Sequence, residues 1–334
     1  MEPISISATP LVASRIGLGT WAIGGWMWGG TDERDGVRTI HAALERGITL
    51  IDTAPVYGFG RAEEIVGNAL AQDGRRNRAV IATKVGLDWR DGKVYRDSSP
   101  ARLRRELEDS LRRLQTDHID LYQVHWPDSS VPIERTAEVL GGFLKEGKIR
   151  AIGVSNFSPA QMDRFRRVAP LHSTQPPYNL FERAIEANVL PYAHRNGMTV
   201  LAYGALCRGL LAGRITAATQ FQGDDLRKID PKFQEPRLRQ YLAAVESLDR
   251  FARERHGKSV LALAVRWILD QGDTIALWGA RRPEHLDPVD DVLGWSLDAR
   301  DMQVIDRIVN VTITDPVGPD FMAPPAAASA VPAA

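Results

Sequence analysis

Four polar residues in the first half of the sequence are of types that could move a proton together. Asp52, Lys84 and His125 each close a short apolar run, and Tyr57 lies five residues after Asp52. Reducing a carbonyl requires a hydride donor at the carbon and a proton donor at the oxygen. A phenol, with an ordinary pKa of about 10, is a poor acid at neutral pH. A neighbouring ammonium such as that of Lys84 would favour the phenolate and lower the pKa of Tyr57.

The remaining two residues complete this chemistry. Asp52 would pair with Lys84 and keep it charged and oriented, and His125 could hold the carbonyl oxygen and help to relay the proton. Taken singly, each residue is more commonly structural, because a tyrosine often packs at a rim and a strand-end lysine often caps backbone carbonyls. Packing alone explains poorly why all four occur in consecutive strand–helix units. We therefore interpret them as one catalytic group.

The elements that must position these residues are eight short apolar runs separated by amphipathic helical patterns. Runs of this length are typical of buried parallel strands. The predicted strands are Ile16–Gly19, Ile48–Asp52, Ala79–Lys84, Ile119–His125, Ile149–Val154, Leu171–Gln175, Thr199–Tyr203 and Thr274–Leu277.

Helix boundaries between the strands are indicated by capping residues. Ser99 and Ser158 are N-cap residues that each precede a proline at the first helical position. Gly47 is expected to end an earlier helix. Eight strand-then-helix units predict a closed (β/α)8 barrel, in which polar residues at the carboxyl ends of strands face the active site. A doubly wound open sheet is the alternative, but no G-x-G-x-x-G motif follows the first strand.

Three segments do not belong to the eight strand-then-helix units. The stretch Ile4–Ile16 predicts a hairpin before the barrel. Residues 204–257 form a long insert after the seventh strand, with a helical pattern near Leu238–Phe251, and long loops at this face usually bind a ligand. We predict that residues 1–322 form one barrel domain and that the Ala/Pro-rich residues 323–334 form a disordered tail.

Composition narrows the class of partner. The 42 basic and 42 acidic residues cancel, which gives no electrostatic case for binding nucleic acid or an acidic membrane surface and favours a small-molecule partner. The single cysteine, Cys207, suits a reducing compartment. Neither a secretory signal nor an apolar run of membrane-spanning length is evident, so we expect a cytoplasmic protein. We make no prediction of oligomeric state.

Five motifs in chain order resemble the aldo-keto reductase superfamily, from about residue 4 to residue 310. The closest likeness is to the bacterial branch with sugar and polyol (glycerol-type) dehydrogenases. The motifs are Gly19–Trp21, Ile51–Gly58, Ala82–Lys84, Asp120–Pro127 and Gly147–Phe157.

The family's Asp, Tyr, Lys and His tetrad falls on Asp52, Tyr57, Lys84 and His125. The resemblance implies hydride transfer between a nicotinamide cofactor and a small aldehyde or ketone, or the corresponding alcohol or polyol. Tyr57 would be the general acid/base.

The resemblance also implies that the cofactor is bound without a Rossmann domain. Ser155, Asn156 and Gln175 would hold the nicotinamide carboxamide, since an amide needs both a donor and an acceptor. Tyr203 would stack beneath the ring. The other implied cofactor contacts are Trp21, Gly204, Ala205, Leu206, Arg208, Gly279, Arg281 and His285.

The adenosine end of the predicted site departs from the family pattern. A guanidinium at Arg281 suits a 2′-phosphate, so we predict NADP(H) and keep NAD(H) as an alternative. Pro288 and Val289, however, occupy the places where a Glu-Asn pair commonly clamps the adenosine, and neither side chain can replace those hydrogen bonds.

Aromatic residues predict the substrate pocket. Trp21, Trp28 and Trp126 lie in the loops after the first and fourth strands, where aromatic walls suit small carbonyls or alcohols. Two other functions stay open at this stage. One is a cofactor-binding regulatory subunit with little turnover. The other is a metal-dependent hydrolase, which would need several strand-end histidines, whereas only His125 qualifies; we predict no metal site.

Overall fold

The structure, a computed structural model, describes residues 1–71 and 73–326. Within these residues, eight parallel strands close into a barrel in which each strand pairs with two others, in the order β10-β11-β12-β3-β4-β5-β8-β9. The strands are β1 (Pro3–Ser5), β2 (Val12–Ser14), β3 (Ile16–Gly19), β4 (Leu50–Asp52), β5 (Val80–Val85), β6 (Leu87–Arg90), β7 (Lys93–Arg96), β8 (Ile119–Val124), β9 (Ile149–Ser155), β10 (Ser173–Gln175), β11 (Thr199–Ala202) and β12 (Thr274–Gly279).

The predicted (β/α)8 fold is therefore confirmed, with small differences at strand ends. Ile48 lies before β4 because its backbone N–H bonds to the carbonyl of Ala43 at the end of the preceding helix. His125 and Tyr203 lie just beyond the ends of β8 and β11 instead of within them. Both residues are thereby placed at the mouth of the barrel.

Helices pack around the barrel and follow the predicted capping signals. The α-helices are α1 (Trp21–Gly24), α2 (Glu33–Glu45), α3 (Arg61–Leu70), α4 (Pro100–Leu114), α5 (Ile133–Lys145), α6 (Pro159–Arg166), α7 (Val189–Arg195), α8 (Arg237–His256), α9 (Val260–Leu269) and α10 (Ala299–Thr312). Short 3₁₀ segments span Arg75–Arg78, Ala184–Ala187, Cys207–Ala212, Leu226–Lys228, Pro231–Phe233, Pro283–Val292 and Asp320–Met322.

The caps explain where two of these helices begin and one ends. Ser99 and Ser158 accept hydrogen bonds from the first turns of α4 and α6, and Gln161 completes a capping box at Ser158. Gly47, just past α2, has a φ of +77°, which favours glycine.

The barrel interior is apolar at its amino-terminal end. A small interior cluster includes Leu50, Leu121 and Leu201, and the hairpin β1–β2 adds Ile6 and Ala13 beneath it. This hairpin matches the predicted one and plugs the bottom of the barrel. Polar side chains are thus left for the opposite end, where the strands terminate. No helix in residues 1–71 and 73–326 is long and apolar enough to cross a membrane.

A second hairpin, β6–β7, follows β5 and was not predicted. Asp91 and Gly92 join its strands, and both have positive φ angles, 51° and 74°. An Asp-Gly pair between alternating strands is a strong hairpin signal. The hairpin could therefore have been predicted from the motif between Leu87 and Arg96.

The long insert and the start of the tail, which do not belong to the strand-then-helix units, are both described by the structure. Helix α8 occupies the predicted helical part of the long insert. Of the tail predicted to be disordered, residues 323–326 are described, and the backbone N–H of Arg96 in β7 donates to the carbonyl of Pro325 at 2.9 Å. Residues 323–326 thus contact the hairpin β6–β7. Residues 327–334 lie outside the described residues.

Candidate active site

The ammonium of Lys84 organises the polar end of the barrel. Its Nζ donates to Asp52 Oδ1 at 2.7 Å, to the Thr53 carbonyl at 3.0 Å and to the Tyr57 hydroxyl at 3.2 Å. All three ammonium hydrogens are used, and the side chain is fully buried. Strand β5 carries Lys84 beside Asp52 at the end of β4, so the pairing of adjacent parallel strands brings them together.

A tight turn after β4 delivers Tyr57 to this ammonium. Gly58 has a φ of +65°, and a Cβ there would lie 2.2 Å from the Gly24 carbonyl oxygen, so only glycine fits. The Tyr57 ring stacks on Trp21 at 5.8 Å and meets the His125 ring edge-on at the same distance. These contacts fix the phenol plane and aim its hydroxyl into the barrel.

The pKa of Tyr57 differs from the sequence-based expectation. Burial raises it, and the ammonium of Lys84, which lowers it, does not compensate; the charge of Asp52 raises it further. The expected net lowering by Lys84 is therefore wrong for this structure. The phenol remains protonated at neutral pH, which is the form able to give a proton to a carbonyl oxygen.

The pKa values of Lys84 and His125 shift in opposite directions in the same surroundings. Burial alone would lower the pKa of Lys84, but Asp52 and Tyr57 outweigh it and the pKa is raised. Burial, together with the charge of Lys84, holds the pKa of His125 well below its usual value. The site thus pairs a permanent cation with a neutral imidazole, which can donate one hydrogen bond without carrying charge.

A second polar group lies beside the tetrad at the ends of β9 and β10. Asn156 has a φ of +63° and donates from Nδ2 to the His125 carbonyl at 3.0 Å. Its Oδ1 accepts from the Tyr203 hydroxyl at 3.0 Å, and Ser155 Oγ donates to the Gln175 carbonyl at 2.6 Å. These bonds hold the amide in an uncommon backbone conformation, as is frequent at functional sites.

A single cavity of about 550 Å³ joins these two groups. Every residue that the sequence analysis placed in the site lines it except Lys84, which lies behind Tyr57. Those lining residues are Trp21, Trp28, Asp52, Tyr57, His125, Trp126, Ser155, Asn156, Gln175, Tyr203, Gly204, Ala205, Leu206, Arg208, Gly279, Arg281 and His285.

The long loop after β11 crosses the cavity and bonds to the loop after β3. Asp224 accepts from the backbone N–H groups of Met27 and Gly29 at 2.8 and 2.9 Å. The N–H of Leu226 donates to the Met27 carbonyl at 2.9 Å. A ligand in the cavity is therefore enclosed between these two loops, an arrangement that sequence periodicity could not reveal.

Arg208, which was predicted to contact the cofactor, lines the cavity and is also held by ion pairs inside the protein. Its guanidinium is buried and bonds to Glu182 and Asp230, each at 2.5 Å, while Lys232 bonds to the same Glu182 at 2.8 Å. Arg208 itself has a φ of +53°. These ion pairs stabilise the loop in this unfavourable backbone conformation.

The other end of the cavity is cationic. Arg281 donates to the Trp28 carbonyl at 2.8 Å, and burial together with Arg227 and Arg282 lowers its pKa. Neither Arg281 nor Arg214 forms a salt bridge within residues 1–71 and 73–326, whereas Arg227 is paired with Asp225 at 2.6 Å. This surplus of positive charge suits a phosphate.

Pro288 and Val289, predicted to stand in place of an adenosine clamp, lie beside the cavity and in the core. Pro288 lines the cavity, while Val289 is fully buried in the core. Neither supplies a side-chain hydrogen bond.

Sequence reasoning missed several residues of the cavity wall. Leu87 and Val94 come from the hairpin β6–β7, whose Asp-Gly turn was a usable signal. Phe321, Met322 and Pro324 come from the C-terminal segment, for which no local pattern exists. The missed cations are Arg214 and Arg227.

The end of the cavity near Tyr57 is mainly aromatic. Trp21 and Trp28 meet edge-on at 5.7 Å, and Trp126 is covered by the Arg96 guanidinium at 5.2 Å. The indole Nε1 atoms of Trp21 and Trp28 are buried and have no hydrogen-bond partner within the described residues. A small ligand with an oxygen acceptor would satisfy such donors.

Known proteins share this sequence and architecture. The chain is 61% identical over 326 residues to the aldo-keto reductase YhdN of Bacillus subtilis, covering 97% of this chain and 98% of that protein. It is 37% identical over 302 residues to the NADH-specific methylglyoxal reductase of Escherichia coli, covering 86% of this chain and 91% of that protein.

Two solved structures superpose on it. The glycerol dehydrogenase AKR11B4 from Gluconobacter oxydans matches with a TM-score of 0.88 and 57% identity, covering 96% of this chain and 99% of the other. An aldo/keto reductase from Klebsiella pneumoniae in complex with NADP and acetate matches with a TM-score of 0.72 and 29% identity, covering 92% and 96%. The aldo/keto reductase family model matches residues 15–310, and this chain belongs to the aldo/keto reductase family.

Proposed function

We propose that this protein transfers a hydride between NADP(H) and a small uncharged aldehyde or ketone, or the corresponding alcohol or polyol, with Tyr57 as general acid/base. The observation that carries the proposal is the hydrogen bond from Lys84 Nζ to the Tyr57 hydroxyl, 3.2 Å long, at the inner end of an aromatic cavity. Membership of the family indicates the class of reaction. The bond from Lys84 to Tyr57 supports Tyr57 as the group that gives the proton.

In the reducing direction, the carbonyl carbon gains a hydride and its oxygen gains the proton of Tyr57. Negative charge then rests on the phenolate, next to the ammonium of Lys84, which stabilises it. Neutral His125 can donate a hydrogen bond to the same oxygen and orient it. Alcohol oxidation reverses these steps, so the phenolate must first be formed.

The cavity also fits a nicotinamide cofactor, which when bound supplies or accepts the hydride. Asn156 and Gln175 are amides that can hold its carboxamide, and Tyr203 offers a flat face held in place by its bond to Asn156. The glycine-rich loop from Gly204 lines the cavity and would offer backbone N–H groups to the pyrophosphate of the cofactor.

A preference for NADP(H) is supported by the cationic end of the cavity. Arg281 and Arg214 carry charge that no salt bridge neutralises within the described residues, and a 2′-phosphate would do so. The Klebsiella protein was solved with NADP. The Escherichia coli relative is named NADH-specific, so NAD(H) is the alternative cofactor.

Small uncharged substrates fit the aromatic walls. Trp21, Trp28 and Trp126 offer apolar faces and few charges. The glycerol dehydrogenase and methylglyoxal reductase names of two relatives point to three-carbon polyols and aldehydes. We place the protein in the cytoplasm, a reducing compartment that suits its single free cysteine, Cys207.

A substrate panel tests the proposal. Methylglyoxal, other short aldehydes, sugars and polyols are each offered with NADP(H) and with NAD(H), while absorbance of the reduced nicotinamide is followed. We expect faster turnover with NADP(H) on short carbonyls. Tight cofactor binding without turnover on any compound would contradict the proposal and favour a regulatory subunit.

A further inference from the structure

We propose that Gln123 is a positioning residue of the reaction: through Gln175 it holds the carboxylate of Asp52, although it does not line the cavity. The inference rests on the proposed function, because Asp52 matters only if Lys84 and Tyr57 transfer a proton. Nothing in the family motif itself assigns a role to Gln123.

Two amides hold the oxygen of Asp52 that Lys84 leaves unused. Gln175 Nε2 donates to Asp52 Oδ2 at 2.8 Å, and Gln123 Nε2 lies 3.4 Å from the same oxygen. Gln175 Nε2 also donates to Gln123 Oε1 at 3.2 Å. The exposed fractions of Gln123, Gln175 and Asp52 are 0%, 2% and 3%. The carboxylate is therefore held on both oxygens, by a cation on one side and by neutral donors on the other.

The barrel makes room for this amide pair. Gly153 on β9 lies between β8, which carries Gln123, and β10, which carries Gln175. A Cβ at Gly153 would lie 2.9 Å from Gln123 Cγ and 2.4 Å from Ser173 Oγ. A strand position without a side chain thus admits the long side chain of Gln123 into the barrel interior.

The orientation of Gln175 is set by its bond to Asp52. Asp52 requires a donor at Oδ2, so the NH₂ group of Gln175 must face it, and Gln123 Oε1 accepts the other hydrogen of that group. The oxygen of Gln175 is then the end of the amide left to accept a hydrogen bond from a ligand. Asp52 therefore sets which end of Gln175 faces the cavity, and Gln123 supports the carboxylate of Asp52 from behind this amide.

The variant Gln123→Met tests this role, because it keeps the chain length and removes both polar atoms. We expect kcat to fall by about tenfold, the effect of one lost hydrogen bond to a charged group. The kinetic isotope effect with deuterated cofactor should rise. Cofactor affinity, followed by quenching of the cavity tryptophans, should stay within about twofold of wild type, since Gln175 keeps its 2.8 Å bond to Asp52 and its oxygen still faces the cavity.

Gln123→Glu distinguishes hydrogen bonding from packing. A protonated glutamic acid has a donor and an acceptor that can replace the two bonds made here by Gln123, but its anion would lie beside Asp52. Activity should approach the wild-type value at low pH and fall as the new carboxyl ionises, whereas Gln123→Met should be slow at every pH. Thr174→Val on β10 is the matched control, since Thr174 is buried and its hydroxyl lacks a partner within the described residues.

Each possible result of these experiments bears on the proposed role of Gln123. An active wild type with Gln123→Met unchanged in kcat and pH profile overturns the proposal and leaves the proposed function intact. A loss of melting temperature alone, equal to that of Thr174→Val, shows a structural role and also overturns it. A loss of cofactor affinity as large as the loss of kcat also overturns the proposal. A wild type inert on the whole panel contradicts the proposed function itself.

Discussion

Replacing Tyr57 by phenylalanine removes the proposed proton donor and little else. The ring stays between Trp21 and His125, where both ring distances are 5.8 Å. Lys84 loses one of its three acceptors and keeps Asp52 and the Thr53 carbonyl. The fold and the ammonium should therefore survive the change.

The expected loss is in the chemical step. General acid–base catalysis contributes about 10²- to 10⁴-fold, or about 2.7 to 5.4 kcal/mol at about 1.36 kcal/mol per tenfold. Stability should fall by about 1.5 to 3 kcal/mol, because one hydrogen bond to a buried charge is lost. We expect turnover on the best carbonyl to drop at least about a hundredfold with NADPH affinity unchanged.

Single-turnover oxidation of bound NADPH, at a substrate concentration that saturates wild type, measures this step directly. Tyr122→Phe is the matched control, because Tyr122 is fully buried in β8, its hydroxyl has no partner within the described residues and it does not line the cavity. Turnover of the Tyr57 variant within about twofold of wild type would show that another group supplies the proton.

Three further outcomes are expected. Arg281→Ala should weaken NADPH by about 10- to 100-fold and NADH far less, by fluorescence titration, and equal effects would remove the 2′-phosphate contact. Since burial raises the pKa of Tyr57, carbonyl reduction should decline only at alkaline pH, as the phenol loses its proton, and alcohol oxidation should increase over the same range in initial-rate profiles; parallel profiles would contradict this. Asp224→Ala removes two bonds between the loops and should speed NADPH release by about fivefold in stopped flow, while an unchanged rate would mean that these bonds do not retain the cofactor.

Much of the catalytic end could be predicted from the sequence. In a parallel barrel all strands end at one rim, so polar residues at consecutive strand ends must lie close together whatever the details of packing. Asp52, Lys84 and His125 could therefore be placed from periodicity alone, and Tyr57 from its short distance along the chain. The hairpin β6–β7 was predictable in principle through Asp91 and Gly92.

The sequence by itself thus determined the barrel and the positions of the tetrad. Only the tertiary structure decided how Tyr57 ionises, because burial acts against Lys84 and its strength depends on everything packed around the phenol. It also decided that Asp224 joins two loops far apart in sequence, and that Arg208 is paired inside the protein. Local patterns encode helices and strands, whereas the partner of a charged side chain depends on which distant segments the fold brings into contact.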